Sequence, residues 1–173
     1  VEAILASQKE NGYFGPDTDR PYIRGMQRSN AADWWHRMVA LKILQQHYMA
    51  TGDERVVDFM TKYFHYQLEE LPRTPLGNWT YWATERGGDN LMIVHWLYNI
   101  TGDSKLLQLG DIIHSQSADW TARFTTDTHL YRQNSIHCVN LGQGFKEPVI
   151  YWQQSKQEKH LNAPLEALKR IRQ

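Results

Sequence analysis

The feature that most constrains this chain is an internal repeat. Tyr48-Met49-Ala50-Thr51-Gly52-Asp53-Glu54-Arg55-Val56-Val57 recurs fifty residues on as Tyr98-Asn99-Ile100-Thr101-Gly102-Asp103-Ser104-Lys105-Leu106-Leu107. A degenerate third copy begins at Tyr151, with Gln154-Ser155-Lys156 in place of Thr-Gly-Asp. Glycine accepts the left-handed conformation that closes a helix C-terminus. Aspartate then caps the helix that follows. Each copy therefore predicts a helix, a tight turn and a second helix, which is an αα-hairpin.

The apolar spacing agrees. In 32–48, Trp34, Trp35, Met38, Val39, Leu41, Ile43, Leu44 and Tyr48 form an i, i+3/i+4 stripe rather than a strand alternation. In 55–71 the stripe runs through Val56, Phe59, Met60, Tyr63, Phe64, Leu68 and Leu71. In 90–100 it runs through Leu91, Ile93, Val94, Leu97, Tyr98 and Ile100. Helices are predicted at about 30–50, 54–71, 88–100, 104–118, 136–154 and 159–172, with a truncated one over the first nine residues. Long connections rich in Gly, Pro and aromatics separate the hairpins at 11–29, 72–87 and 119–135. Short turns then fall on one side of the array and long loops on the other, the side such arrays use for binding.

A period near fifty exceeds the roughly 34 of tetratricopeptide repeats and the ~40–47 of HEAT and armadillo repeats. It suits hairpins joined by elaborated loops, as in an α/α toroid. The expected fold is all-α, with αα-hairpins at about 30–71, 88–118 and 136–172 forming about half of an (α/α)6 ring. Residues 1–173 read as a single partial domain. An open helical solenoid serving as a protein-binding scaffold is the alternative. Neither terminus carries a helix stop, an initiator Met or a signal segment, so the expectation is a piece of a larger domain whose main partner is the remainder of the same polypeptide. Helix 159–172 would expose Leu161, Leu165, Leu168 and Ile171 if nothing covered it.

Composition narrows the function. Nineteen Lys and Arg balance nineteen Asp and Glu, which argues against a nucleic-acid partner, since phosphate contacts need a basic surplus. No apolar run reaches the ~18–20 residues of a membrane span, and the mean hydropathy is −0.64, so no membrane partner is expected. The 7 Trp, 9 Tyr and 5 Phe supply material for a core. A single cysteine, Cys138, excludes an intrachain disulfide framework and a Cys-rich zinc site within these residues. The histidines His47, His65, His95, His114, His129 and His160 show no metal-ligand spacing. No phosphate loop, nucleotide fingerprint or Gly-x-Ser-x-Gly is present.

Three segments could carry chemistry. Trp34-Trp35-His36-Arg37 opens a long helix and offers indole faces, which stack on sugar rings, beside an imidazole. Glu85-Arg86-Gly87-Gly88-Asp89-Asn90 places carboxylates and an amide around two glycines, close to Trp79 and Trp82. Asp89 and Asn90 suit a hydroxyl-binding pair or a helix N-cap, whereas capping does not explain Glu85, the candidate acid if two carboxylates flank a glycosidic bond. His137 and Asn140 share a face at i, i+3. Cys138 lies about 100° away from His137 on the helix and is not expected to act as a nucleophile.

Taken in order, Glu10-Asn11-Gly12-Tyr13-Phe14-Gly15-Pro16, Trp35-His36-Arg37-Met38, the Tyr-x-x-Thr-Gly-Asp turns, Glu85-Arg86-Gly87-Gly88-Asp89-Asn90 and His137-Cys138-Val139-Asn140 resemble the bacterial β-L-arabinofuranosidase-like glycoside hydrolases. The resemblance covers nearly the whole chain. It implies an (α/α)6 catalytic domain that removes terminal sugars, such as L-arabinofuranosides, from plant-type or complex glycans, in the periplasm or outside the cell. It implies sugar contacts from His36 and His137, with Glu85, Gly87, Gly88 and Asn90 lining the same site. Trp35, Trp79, Trp82 and Asn140 complete the expected binding set. The family's nucleophile is a cysteine held beside zinc, in a Cys-rich segment C-terminal to the His-Asn helix. No such segment is present here, so no cofactor is expected within this chain: either the chemistry, with any zinc, lies in a C-terminal part of the polypeptide, or this branch uses another mechanism. Another α/α-toroid hydrolase or lyase, resembling the unsaturated glucuronyl hydrolases, and a non-catalytic helical-repeat binding module are the other readings.

Overall fold

The computed structural model describes residues 1–16, 33–126 and 137–172. Every regular element among them is a helix: α1 (Glu2–Leu5), α2 (Trp34–Thr51), α3 (Arg55–Glu70), α4 (Tyr81–Glu85), α5 (Gly87–Thr101), α6 (Ser104–Gln116), α7 (Trp120–Thr126), α8 (Cys138–Gly144), α9 (Lys146–Ser155) and α10 (Glu158–Ile171). The all-α expectation holds, and the packing is that of part of an α/α toroid. Helices α2, α5 and α9 follow one another in one layer. Helices α3 and α6 back them in a second layer, and α10 packs on α9.

The repeat explains the turns. Gly52 and Gly102 close α2 and α5 at φ of 69° and 68°. In each turn the Thr hydroxyl donates to the carbonyl four residues back, and the Asp side chain accepts from the backbone N–H two residues on. The third copy follows the same plan, but one residue later than the sequence comparison placed it. Lys156 takes the glycine position at φ 53° and the Gln157 backbone N–H donates to the Ser155 hydroxyl. Ser155-Lys156-Gln157, not Gln154-Ser155-Lys156, is therefore the structural equivalent of Thr-Gly-Asp.

Between the layers lies one apolar core. Met38, Leu41 and Leu44 of α2 meet Phe59, Met60, Tyr63 and Phe64 of α3, and the core continues through Leu91, Val94, Leu106, Leu109 and Ile113. Val39 and Ile43 do not belong to it: they are 51% and 50% exposed. At about 100° per residue they lie opposite Met38, Leu41 and Gln45, so the stripe read from sequence was too broad. On α10, Leu165, Leu168 and Ile171 are exposed as expected, while Leu161 is half-buried.

Two helices lie inside connections that the sequence reading left irregular. Helix α7 exists because Trp120 and Phe124 stand one turn apart and bury together against Ala163 and Ala167 of α10. Helix α4 carries Trp82 and Glu85 to the rim. The predicted 136–154 helix is broken at Phe145 into α8 and α9. Pro148 accounts for the break: it lacks an N–H, and its ring crowds the carbonyl four residues back, that of Gly144, where α8 ends.

Candidate functional site

The starts of α2, α5 and α9 come together at the long-connection end. Asp33 caps α2 by accepting from Trp35.N at 3.0 Å, and its other oxygen receives the Thr80 hydroxyl at 2.8 Å, tying the chain before α4 to the start of α2. Glycines set the next contact. A Cβ on Gly88 would stand 2.9–3.1 Å from Glu147 Cβ, Cα and N, and one on Gly87 would stand 1.8 Å from the Ser117 hydroxyl. These glycines let α5 approach α9 and the end of α6, which accounts for the Gly-Gly pair without a substrate.

Above this contact runs a row of rings. The His36 and Trp35 centroids are 5.3 Å apart, Trp35 and Trp82 are 6.2 Å apart, and Trp82 and His137 are 6.5 Å apart, with Tyr81 4.3 Å from Trp82. Three segments distant in sequence thus meet on one rim, with the two imidazoles at opposite ends of the row. His36 also lines an apolar pocket of about 240 Å³ with Ile4, Phe14, Pro16 and Arg37. The Arg37 Nε donates to the Phe14 carbonyl at 3.0 Å and its Nη1 to the Asp33 carbonyl at 2.9 Å, so this arginine builds the rim. His137 caps α8, its Nδ1 accepting from Val139.N at 3.2 Å.

In the corner made by the two indoles sits Arg86. Its guanidinium carbon lies 4.6 Å from the Trp35 centroid and 4.5 Å from that of Trp82. Its Nε donates to Asn140 Oδ1 at 3.0 Å. The side chain is 7% exposed, and desolvation draws its pKa below the usual guanidinium range.

The other expected site residues fall as follows. Glu85 is buried, and both of its oxygens are held by Arg123, at 2.6 and 3.1 Å. Such a carboxylate is an anchored anion, and its backbone carbonyl further receives the Trp120 indole N–H at 2.9 Å. Asn90 is wholly buried, with neither amide atom paired. Asn140 is likewise buried, with its amide nitrogen unpaired. Trp79 is 42% exposed and stands outside the row, and Trp34 is a core residue whose indole N–H donates to the Thr74 carbonyl at 2.9 Å. Cys138 is exposed. His129 lies outside the described residues. Sequence reasoning missed Arg86, Tyr81 and Arg123. The signal for Arg86 was present, as a cation set directly between a carboxylate and two glycines.

A second polar cluster lies behind the rim. Glu147, 1% exposed, bonds His114 Nδ1 at 2.7 Å, while its other oxygen is unpaired. Burial raises its pKa more than the His114 bond lowers it. His114 stacks on Tyr151 at 3.6 Å, and His160 Nδ1 meets the Thr121 hydroxyl at 2.8 Å. Among the described residues no group of three or more His, Cys, Asp or Glu side chains could hold a metal. These residues therefore do not fit the zinc that the resemblance implies.

Residues 1–171 match the family model described as Beta-L-arabinofuranosidase, GH127 catalytic domain. The chain belongs to this family, and with it to the glycoside hydrolases. Neither the curated proteins nor the solved structures gave a match.

Proposed function

We propose that this chain forms part of the sugar-binding rim of a glycoside hydrolase that releases a terminal sugar, an L-arabinofuranoside in the first instance, from plant-type or complex glycans. The observation that supports this most is the row His36–Trp35–Trp82–His137, which joins three separate motifs on one surface. Indole rings present apolar faces to sugar C–H groups, and the imidazoles at the ends offer hydrogen bonds to hydroxyls. Glu85 and Arg123 hold α4 and α7 together beneath the row, and Asn140 holds Arg86.

Losing one partner of a desolvated polar contact costs about 1–3 kcal/mol. In the natural polypeptide that contains this chain, His36→Ala and His137→Ala should each lower kcat/KM on an arabinofuranosyl substrate by roughly ten- to hundredfold. Trp35→Ala and Trp82→Ala should weaken sugar binding followed by tryptophan fluorescence, whereas Trp79→Ala should change it little. Cys138→Ser should leave turnover near wild type. A folded but inactive Cys138→Ser variant, or unchanged kinetics in both histidine variants, would overturn this assignment.

A further inference from the structure

Arg86 is more than part of a wall. It is a nearly buried cation to which no carboxylate is hydrogen-bonded among the described residues, although Asp89 lies close enough to act on its charge. The two nearest candidates in sequence are committed elsewhere, Glu85 to Arg123 in a bidentate pair and Asp89 to Lys146. Among the described residues, each of these two carboxylates is already paired with another cation, and Arg86 is bonded to neither. Its single hydrogen bond leaves from Nε to a neutral amide. The two terminal nitrogens have no acceptor among the described residues, and they are not among the buried unpaired atoms, so they open to solvent at the rim. Beside them Asn140 is wholly buried with an unpaired amide nitrogen. Two indoles hold the guanidinium in place at 4.6 and 4.5 Å. Contact with π-faces offsets part of the cost of desolvating a cation, but it leaves the planar fork of N–H donors unfilled. That fork matches the paired oxygens of a carboxylate or a sulfate. A sugar hydroxyl cannot fill it in the same way or neutralise the charge.

We propose that Arg86, set in the corner of Trp35 and Trp82 and backed by Asn140, receives an anionic group of the glycan, so that the substrate class is an acidic glycan bearing a uronic-acid carboxylate or a sulfate ester. The inference rests on the reading of this rim as a sugar site and adds the charge of the sugar to it. The acidic group would meet the terminal nitrogens edge-on, in the plane of the guanidinium, with its sugar ring at the edge of the indole surfaces.

The test uses the natural polypeptide and matched ligands: a uronic-acid-containing oligosaccharide and its carboxyl-reduced form, and a sulfated oligosaccharide and its desulfated form. Binding is followed by calorimetry, and hydrolysis by release of reducing sugar. The expected result is that at least one acidic ligand binds roughly ten- to hundredfold more tightly than its neutral counterpart, the range of a charge-assisted hydrogen-bond pair. Which of the two does so identifies the anion. The preference should shrink as salt is raised and fall to about one in Arg86→Gln, with partial retention in Arg86→Lys. Equal affinity for acidic and neutral partners in the wild-type protein overturns the proposal without needing any variant to fold. An acid preference that survives Arg86→Gln overturns the assignment to this residue. Hydrolysis of neutral glycans with no acid preference defeats this inference alone. Absence of binding and hydrolysis with every glycan would instead defeat the sugar-site reading beneath it.

Discussion

Lys156 adopts a conformation that side chains avoid. It is the only non-glycine residue with positive φ among the described residues, at 53°, where the two clear copies of the repeat use glycine. The left-handed region costs an L-residue roughly 1–2 kcal/mol, part of which is recovered here by the ammonium 5.0 Å from the Trp152 ring. Lys156→Gly should therefore stabilise the protein by up to about 1 kcal/mol, read as a higher urea midpoint at unchanged slope. The sequence displayed the first two turns openly, because Gly and Asp have few reasons to recur at such spacing. It blurred the third by one residue, since Ser155 and Gln157 imitate Thr and Asp through a hydroxyl and a backbone contact alone. Arg86 was hidden for a different reason. Whether an arginine is paired depends on what Glu85 and Asp89 do, and their partners, Arg123 and Lys146, lie far along the chain.

At the level of helices, the α5–α9 contact depends on a glycine. Gly88→Ala would press a methyl group against the backbone of Glu147 at about 3 Å. Backbone cannot rotate away as a flexible side chain can, so the helices must separate. The expected loss is about 1–3 kcal/mol, measured by thermal or urea unfolding. Because both helix starts carry rim residues, sugar affinity should fall with it. Gly144→Ala should act similarly at the α8–α7 contact, where the added methyl would stand 2.4 Å from the fully buried Trp120 indole. Helix periods were legible where one face alone is apolar, as in α3. They misled in α2, where Val39 and Ile43 extend the apolar pattern onto the exposed side. Helix α7 escaped notice because its two anchors, Trp120 and Phe124, make too short a pattern to stand out from a loop. Their meaning appears only with Ala163 and Ala167 opposite.

For the whole molecule, buried histidines set the response to acid. His95 and His160 both have pKa values held below 6.5 by desolvation, with nearby Lys156 and with His114 and Lys159 respectively adding to the effect. As pH falls below 6.5 the unfolded chain takes up protons that these folded-state rings refuse, so stability declines toward their lower folded values. Glu147 works the other way: its raised pKa means that stability falls as pH climbs above 4.5 toward the folded value. The Tm should therefore drop on acidification from neutrality toward the mid-acidic range, and His160→Asn should flatten the drop. A Tm that rises over that interval would contradict the assignment. The layered helices were legible from the repeat, but which buried polar groups face one another was not, since His114, Glu147 and His160 come from three different helices. One last property follows from the position of Cys138. The sequence has a single thiol, exposed, and it is the immediate neighbour of the ring that ends the aromatic row. Within these 173 residues a maleimide dye or nitroxide would attach at that one known spot. It would turn the edge of the rim into an optical or magnetic gauge of occupancy, readable at equilibrium and in stopped flow, whether or not a given glycan is cleaved.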